Sequence, residues 1–79
     1  MTTWNYRIVR YRDNKGFGLH EVFYDDDGLP WTMTEDPVGF DCGVEEGPEG
    51  IRELLDAAMR DVGLHPVLDE PETWPGQAP

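Results

Sequence analysis

The sequence predicts a small α+β domain, a three-stranded antiparallel β-meander with one amphipathic α-helix packed on one face. Three observations lead to this prediction. The first segment alternates at period two with aromatic and β-branched residues, two turns rich in Asp, Asn and Gly follow it, and a later segment repeats apolar residues every 3.6 positions. Because neither a half-apolar sheet nor a half-apolar helix can bury its apolar side alone, the two are expected to pack together.

Residues that favour turns mark the ends of the strands in the predicted meander. Strands are predicted over 3–12, 17–24 and 29–34, with turns at 13–16 and 25–28. In the first strand, Trp4, Tyr6 and Ile8 point to one side. In the second, apolar residues fall on both faces, so the pattern leaves open which face is the core.

The helix is predicted from an apolar stripe made of Ile51, Leu54, Leu55, Ala58, Met59 and Val62. Pro48 suits its first turn, where the missing N–H of proline costs nothing. Gly63 suits a left-handed residue just after the helix, and Pro66 blocks continuation. Residues 66–68 are expected to lie extended along the body of the domain.

Two segments show no periodicity. Residues 35–47 carry five acids, no base, three glycines and a proline, which indicates a long irregular connection. Residues 70–79 contain three prolines and little to bury, and Trp74 is their one potential anchor. The prediction is therefore a single compact domain over 1–69 followed by a flexible tail over 70–79.

Charge is the most informative property of the composition. The chain has 17 acids against six Lys and Arg, a net charge of −11. Residues 1–15 carry +3 and residues 16–79 carry −14. Such a chain repels nucleic acid and anionic membranes and is steered toward basic partners, although acidity can also serve solubility alone. The bases of the first strand, Arg7, Arg10, Arg12 and Lys15, are expected to pair with acids of strands two and three.

Cysteine usage and hydropathy indicate a compartment. Cys42 is the single cysteine, which excludes an intramolecular disulfide and fits a reducing environment. The N-terminus lacks a basic segment followed by an apolar run, and no stretch approaches the roughly 20 apolar residues of a membrane span. We expect the protein in the cytoplasm, the cytosol of a bacterial host.

A calcium loop is the first metal site to consider. Asp25, Asp26, Asp27 and Gly28, with Glu35 downstream, place carboxylates close together. An EF-hand loop needs alternating ligands and a glutamate at its twelfth position, whereas consecutive aspartates point to different sides. A solvated hairpin tip explains the run better.

Zinc binding and nucleophilic catalysis are also disfavoured. His20, Cys42 and His65 are separated by 22 and 23 residues, without the short paired spacings of zinc sites. The surroundings of Cys42 are acidic, which raises rather than lowers the pKa of a thiol. The sequence therefore predicts no metal site, no cofactor and no catalytic residue, so the protein is not expected to be an enzyme.

The remaining pattern is a set of acids with no base nearby in sequence. Duplex DNA carries about one negative charge per 1.7 Å of axis, and carboxylates on a rigid scaffold can occupy the lysines and arginines that would bind those phosphates. We therefore predict a partner-binding surface made of Asp25, Asp26, Asp27, Glu35, Asp36, Asp41, Glu45 and Glu46.

Two resemblances follow from these features. The segments W-N-Y-R-I-V-R at 4–10, L-H-E-V-F-Y-D-D-D-G at 19–28, T-E-D-P-V at 34–38, the 51–62 helix and P-V-L at 66–68 resemble a family of short acidic bacterial proteins of uncharacterised activity. The chain departs from that family in its glycine-rich segment at 39–50 and in its proline-rich tail. In size and charge alone, the chain also resembles anti-CRISPR proteins that inhibit type I surveillance complexes. This second resemblance transfers no functional residue.

The leading hypothesis is a non-enzymatic, anti-CRISPR-like inhibitor. It would dock its carboxylates on the basic DNA-binding groove of a type I surveillance complex (Cascade), as a monomer or weak homodimer, without contacting nucleic acid or membrane directly. The alternative is a small cytosolic accessory domain that binds another protein through exposed aromatic residues, with Trp4, Trp31 and Trp74 as anchors.

Overall fold

The computed structural model describes residues 3–77 and confirms the α+β class. Its strands and helix, in chain order, are β1 (Thr3–Arg10), β2 (Phe17–Tyr24), β3 (Pro30–Met33), α1 (Gly47–Leu64) and β4 (Leu68–Asp69), with short 3-10 turns at Arg12–Asn14 and Pro75–Gln77. β1 ends two residues earlier than predicted, because Asp13 and Asn14 adopt left-handed φ angles of 61° and 57° that turn the chain toward β2.

The sheet has four strands rather than the predicted three, and it is mixed rather than wholly antiparallel. Its order is β3-β2-β1-β4. β1 pairs antiparallel with β2 over their full lengths, β3 pairs antiparallel with β2, and β4 pairs parallel with β1 through Val9 and Leu68. The predicted meander lacks the fourth strand. After α1 the chain returns to the free edge of β1, where β4 pairs with it. A register shift between Phe23 and Tyr24 leaves Trp31 as an additional residue in β3.

α1 is longer at both ends than its apolar stripe. It begins at Gly47 with Pro48 in its first turn, as predicted for that proline. The predicted left-handed C-terminal residue is wrong, because Gly63 lies inside the helix and positive φ among the described glycines occurs at Gly16, Gly28 and Gly47. The helix ends at Leu64, where His65 turns to an extended conformation with φ of −127° before Pro66.

The two faces of the sheet are covered by different parts of the chain. Strand alternation places Tyr6, Ile8, Leu19 and Glu21 on one face, which we call the helix face because α1 packs against Ile8 and Leu19 there. The opposite face, called the tail face, carries Val9, His20 and Val22, each at most 1% exposed. Both faces of β2 are therefore in the core, which the sequence left open.

Residues 70–77 lie against the tail face, in the range where the sequence predicts a flexible tail. The Glu70 N–H donates to the Arg10 carbonyl at 2.9 Å, and the chain then runs from the β4 edge to the β3 edge, where Gly76 packs on the Trp31 ring. Since α1 occupies the other face, this segment crosses the tail face. Trp74 is only 4% exposed, and burying so large an aromatic orders a segment whose composition alone suggests mobility. Residues 78 and 79 lie outside the described residues.

Three arginines near the start of the chain hold its C-terminal part, and the predicted pairing of these arginines with acids of β2 and β3 is wrong. Arg7 donates to the Pro66 carbonyl at 2.8 Å, and Arg10 forms an ion pair with Asp69 at 3.6 Å. Arg12 donates to the Glu72 carbonyl at 3.2 Å. In the β1–β2 register, Arg7 lies opposite His20 and Arg10 opposite Phe17, so neither faces an acid across the strand pair.

His20 is a structural residue at the centre of the tail face. Its Nδ1 lies 3.0 Å from the Thr34 carbonyl, which can only accept, so Nδ1 is the donor of this contact. Its Nε2 forms a hydrogen bond with the Tyr11 hydroxyl at 2.7 Å. Gly18 permits this arrangement, because a side chain there would collide with the Tyr11 ring.

Candidate partner-binding surface

The first group of candidate acids is the tip of the β2–β3 hairpin, Asp25, Asp26 and Asp27, which we call the tip acids. The Asp25 carboxylate accepts from the N–H groups of Asp27 and Leu29 at 2.9 and 3.0 Å, which closes a local turn. Gly28 completes the turn with φ of 79°. Asp25 is thus partly committed to folding the tip, whereas Asp27 is exposed.

Two aromatic residues stand beside the tip acids. Tyr24, Asp25, Asp26 and Trp31 line an open hollow of about 180 Å³, and Trp31 is 41% exposed. Aromatic faces and carboxylates both attract cations, so this hollow has the chemistry to receive the head of a lysine or arginine side chain.

The second group lies where the 39–46 loop folds onto the first turns of α1. Asp41, Glu46 and Glu53 line an open hollow of about 510 Å³, completed by Cys42, Gly43, Gly50 and Leu54. We call it the acidic hollow. The loop approaches closely because Gly50 has no side chain, since a Cβ there would lie 2.8 Å from the Cys42 sulfur. The Glu46 carboxylate accepts from the Gly43 N–H at 2.5 Å and fixes the loop.

Glu45 belongs to the same region, because its carboxylate lies beside Gly43 as that of Glu46 does. Glu35 and Asp36 lie elsewhere. They are exposed and fall between Thr34 and Val38, whose N–H groups donate to the carbonyls of Glu21 and Leu19. The chain therefore follows β2 for four to six residues from the tip, or about 13–20 Å at ~3.3 Å per residue.

The fold consequently divides the eight candidate acids instead of gathering them. The tip acids form one group, Glu35 and Asp36 lie along the β3 side of β2, and Asp41, Glu45 and Glu46 surround the acidic hollow. The structure adds Glu53 to this last group. Glu53 was left out of the predicted surface because Arg52 is its neighbour in sequence, whereas in the structure Arg52 pairs with Glu49.

Asp61, another helix acid, has a structural role. Its carboxylate accepts from the Tyr6 N–H at 3.0 Å, at a point on β1 that lies before the short pairing with β4 begins. Burial, reinforced by the negative charges of Glu21 and Asp61, raises the pKa of the Tyr6 hydroxyl above its ordinary value of 10.0. Asp61 therefore stabilises the fold at the helix face.

An apolar groove next to α1 was not foreseen from the sequence. It has a volume of about 300 Å³ and is lined by Ile8, Leu19, Phe40, Leu55, Ala58, Met59 and Val62. Leu55 is 47% and Met59 73% exposed, although both belong to the predicted core stripe of the helix. The width of that stripe was the available signal, but the pattern does not show which of its edges stays uncovered.

The aromatic anchors of the alternative hypothesis divide as well. Trp74, in the C-terminal segment, is only 4% exposed and is removed from the set of exposed anchors. Trp4, 48% exposed, packs edge-to-face on Tyr6 with ring centroids 5.2 Å apart, and Trp31 stays exposed beside the hairpin tip. Two exposed tryptophans therefore remain for this hypothesis.

Neither a metal site nor a membrane-spanning helix occurs in the described part of the chain. Across residues 3–77, no group of three or more His, Cys, Asp or Glu is arranged to hold a metal ion. In that same part of the chain, no helix has the length and apolarity needed to cross a membrane. Comparison with known proteins finds no matching family model, no matching curated protein and no matching solved structure.

Proposed function

We propose that this protein is a non-enzymatic acidic inhibitor, anti-CRISPR-like in action, that binds the basic DNA-binding residues of a type I surveillance complex (Cascade) and blocks their access to DNA. The observation that carries the proposal is how the arginines are used. Arg10, Arg52 and Arg60 pair with acids outside the candidate set, and Arg7 and Arg12 donate to backbone carbonyls. These arginine contacts leave the exposed candidate acids to solvent at six positions, namely Asp27, Glu35, Asp36, Asp41, Glu45 and Glu46.

The separation of the acidic groups suits a partner that binds an extended polyanion. A DNA-binding groove presents its lysines and arginines at intervals, because duplex DNA offers about one charge per 1.7 Å. Acids spread over about 13–20 Å can engage several of those residues at once. The hollow at the hairpin tip adds aromatic faces that favour a lysine or arginine head.

The direct test measures binding to purified type I surveillance complexes and competition with their target DNA. We expect binding that weakens steeply as salt rises, because screening acts on exposed charges. A protein that neither binds nor competes at low salt would end the proposal.

A charge-reversal pair locates the surface. Asp41→Lys with Glu45→Lys should weaken binding by about tenfold or more, equivalent to about 1.4 kcal/mol. The control is Asp56→Lys with Glu72→Lys, which changes net charge equally at exposed positions outside the candidate set. The control should retain most of the affinity. Equal losses would mean that net charge, not a defined surface, governs binding.

A second function, an accessory domain that binds another protein through aromatic residues, is favoured by the exposure of Trp4 and Trp31. A salt titration separates the two proposals. Binding through an aromatic interface changes little between low and high salt, and it would be lost in Trp4→Ala rather than in the charge-reversal pair.

A further inference from the structure

The hollow at the hairpin tip, which we call the tip hollow, has an aromatic wall that a distant part of the chain holds in place. Trp31 is 41% exposed, and Gly76 packs against the fused bond of its indole, where an added Cβ would lie 3.0 Å from two ring carbons. The fused bond has ring atoms on both sides, so it can be approached this closely only from above the ring plane. The chain therefore covers one face of the indole, while the ring still borders the tip hollow.

Tyr24, the second aromatic wall of the tip hollow, is fixed through its hydroxyl. The hydroxyl donates to the Asn5 side chain at 2.7 Å and accepts from Arg7 at 3.3 Å. Its orientation thus depends on β1 as well as on the hairpin. Because contacts within the protein already hold both rings, a ligand that stacks on them does not have to order them.

Asp25 supplies the tip hollow with a carboxylate that is also fixed. The two hydrogen bonds that close the turn, from the N–H groups of Asp27 and Leu29, reach the same oxygen, Oδ1. The turn therefore does not use Oδ2, which can accept from a ligand. Aromatic faces and a carboxylate are both negative, so together they favour a cation.

The charge and the open shape of the tip hollow select among possible occupants. The tip acids repel nucleic acid and anionic lipid. The hollow is open, with a volume of about 180 Å³, so its occupant stays in contact with water. A lysine ammonium is a compact and strongly hydrated charge. The planar guanidinium of arginine is more weakly hydrated, stacks on aromatic faces and keeps its edge donors for a carboxylate.

We propose that the tip hollow binds an arginine side chain of the partner protein, with the guanidinium stacked on Trp31 and donating to Oδ2 of Asp25. The inference rests on the proposed function for the basic character of the partner, and it deepens that function by naming the side chain that is recognised. It also gives the exposed Trp31 a role that net charge alone does not provide.

The first test titrates the unchanged protein with two capped tripeptides that carry arginine or lysine between two glycines. NMR follows the indole N–H resonances, and Trp4 is the internal control, because it is 48% exposed and does not line the tip hollow. The arginine peptide should shift the Trp31 resonance to saturation and bind about twofold tighter or more than the lysine peptide, while Trp4 barely moves. Equal affinities, or equal shifts at Trp31 and Trp4, would overturn the inference.

The aromatic wall is tested with Trp31→Leu, which removes the indole and keeps an apolar side chain beside Gly76. Loss of an exposed cation–π contact should weaken binding of the arginine peptide by about two- to fivefold and remove its advantage over lysine. The matched control, Trp4→Leu, should keep both. The backbone amide resonance of Leu29 reports binding in each variant. A preference for arginine that persists in Trp31→Leu would contradict the proposal. Circular dichroism checks folding, and the titration of the unchanged protein decides if a variant does not fold.

The carboxylate is tested with Asp25→Asn, which keeps an oxygen for the two N–H groups of the turn and removes the charge. Affinity for the arginine peptide should fall by about two- to fivefold. Asp27→Asn makes the same change of charge at an exposed neighbour that does not line the tip hollow, so it should keep most of the affinity. Equal losses would show that the charge of the tip as a whole attracts the peptide, and the assigned site would fall.

Binding to the surveillance complex separates failure of this inference from failure of the proposed function. A complex that binds the protein, together with no arginine response at Trp31, would end this inference and leave the proposed function standing. An arginine response at Trp31, together with no binding to the complex, would support the tip hollow as an arginine site and end the proposed function.

Discussion

The two faces of the sheet differ in how completely they are covered, and the difference runs against expectation. The helix face has an eighteen-residue helix over it, yet Leu55 and Met59 remain 47% and 73% exposed. The tail face is covered by a short irregular segment, yet Val9 and Val22 are fully buried and Trp74 is 4% exposed. In this domain, the irregular segment therefore buries its face of the sheet more completely than the helix does. We infer that stability depends chiefly on the tail face, whereas the helix face is available for binding.

The strongest way to break this comparison is to remove the cover of the tail face. Trp74→Ala should lower the free energy of unfolding by about 3–5 kcal/mol, as expected for a buried tryptophan. A 79-residue domain has only about 4–12 kcal/mol in total, so much of the protein should unfold. Urea denaturation followed by circular dichroism measures the loss.

Trp4→Ala is the matched control for Trp74→Ala, because it removes the same side chain from an exposed position on the helix face. Its loss should be clearly smaller. If the two variants were equally stable, the C-terminal segment would not cover the tail face in solution. Trp74→Phe should fall between wild type and Trp74→Ala, since the buried Trp74 N–H has no hydrogen-bond partner among the described residues.

The sequence contains a signal that the tail face is covered, although the proline-rich composition of the covering segment suggests mobility instead. β2 is predicted at the bounds that the structure shows, and its apolar residues fall on both faces, which already requires two covers. One cover, α1, has a readable period. The other is a proline-rich segment without periodicity, anchored through Trp74, and its contacts with β1 and β3 depend on long-range pairing that no local pattern reports. Residues 66–68 are predicted to lie extended, but the pairing of β4 with β1 was not predicted, for the same reason.

The candidate site was predictable in its residue types but not in its grouping. The acids at 41, 45 and 46 follow from the absence of nearby bases in sequence. These acids lie near Glu53 because the loop packs against Gly50. In the sequence, the glycine at position 50 is the one sign of that packing. The distance between these acids and the tip acids depends on where the chain leaves β2. The residues that predict the turns do not predict that position.

A smaller effect on the tail face is expected at Tyr11. Tyr11→Phe removes the hydroxyl that hydrogen-bonds to the Nε2 of the buried His20, and an unsatisfied buried polar group costs about 1–3 kcal/mol. Tyr24→Phe is the control, because its hydroxyl donates to Asn5 and accepts from Arg7 at a partly exposed position. Denaturation midpoints should fall further for Tyr11→Phe, and equal midpoints would argue against a sealed tail face around His20.

On the helix face, substitutions at the groove should leave stability nearly unchanged. Met59→Gln replaces an exposed side chain with a good helix former, so the free energy of unfolding should stay within about 0.5 kcal/mol of wild type. Thermal melting measures it. A loss comparable to that of Trp74→Ala would mean that the groove is closed in solution, and the contrast between the faces would disappear.

The smallest effect tests whether the helix face is closed around Tyr6 even though it is open at Met59. Burial, then the charges of Glu21 and Asp61, raises the pKa of Tyr6. The folded protein therefore keeps this proton to higher pH than the unfolded chain does. The stabilisation from Tyr6 is complete below its unfolded pKa of about 10 and is lost as pH rises above it.

Tyr6→Phe should accordingly reduce the fall in the free energy of unfolding as pH rises above about 10. Asp61→Asn supplies the control, because it keeps an oxygen for the Tyr6 N–H but removes a charge that raises the pKa. Its effect on the slope should be smaller than that of Tyr6→Phe, since burial is the larger cause. Identical slopes in wild type and Tyr6→Phe would show that Tyr6 is open to solvent, so that the helix face would be open at both positions.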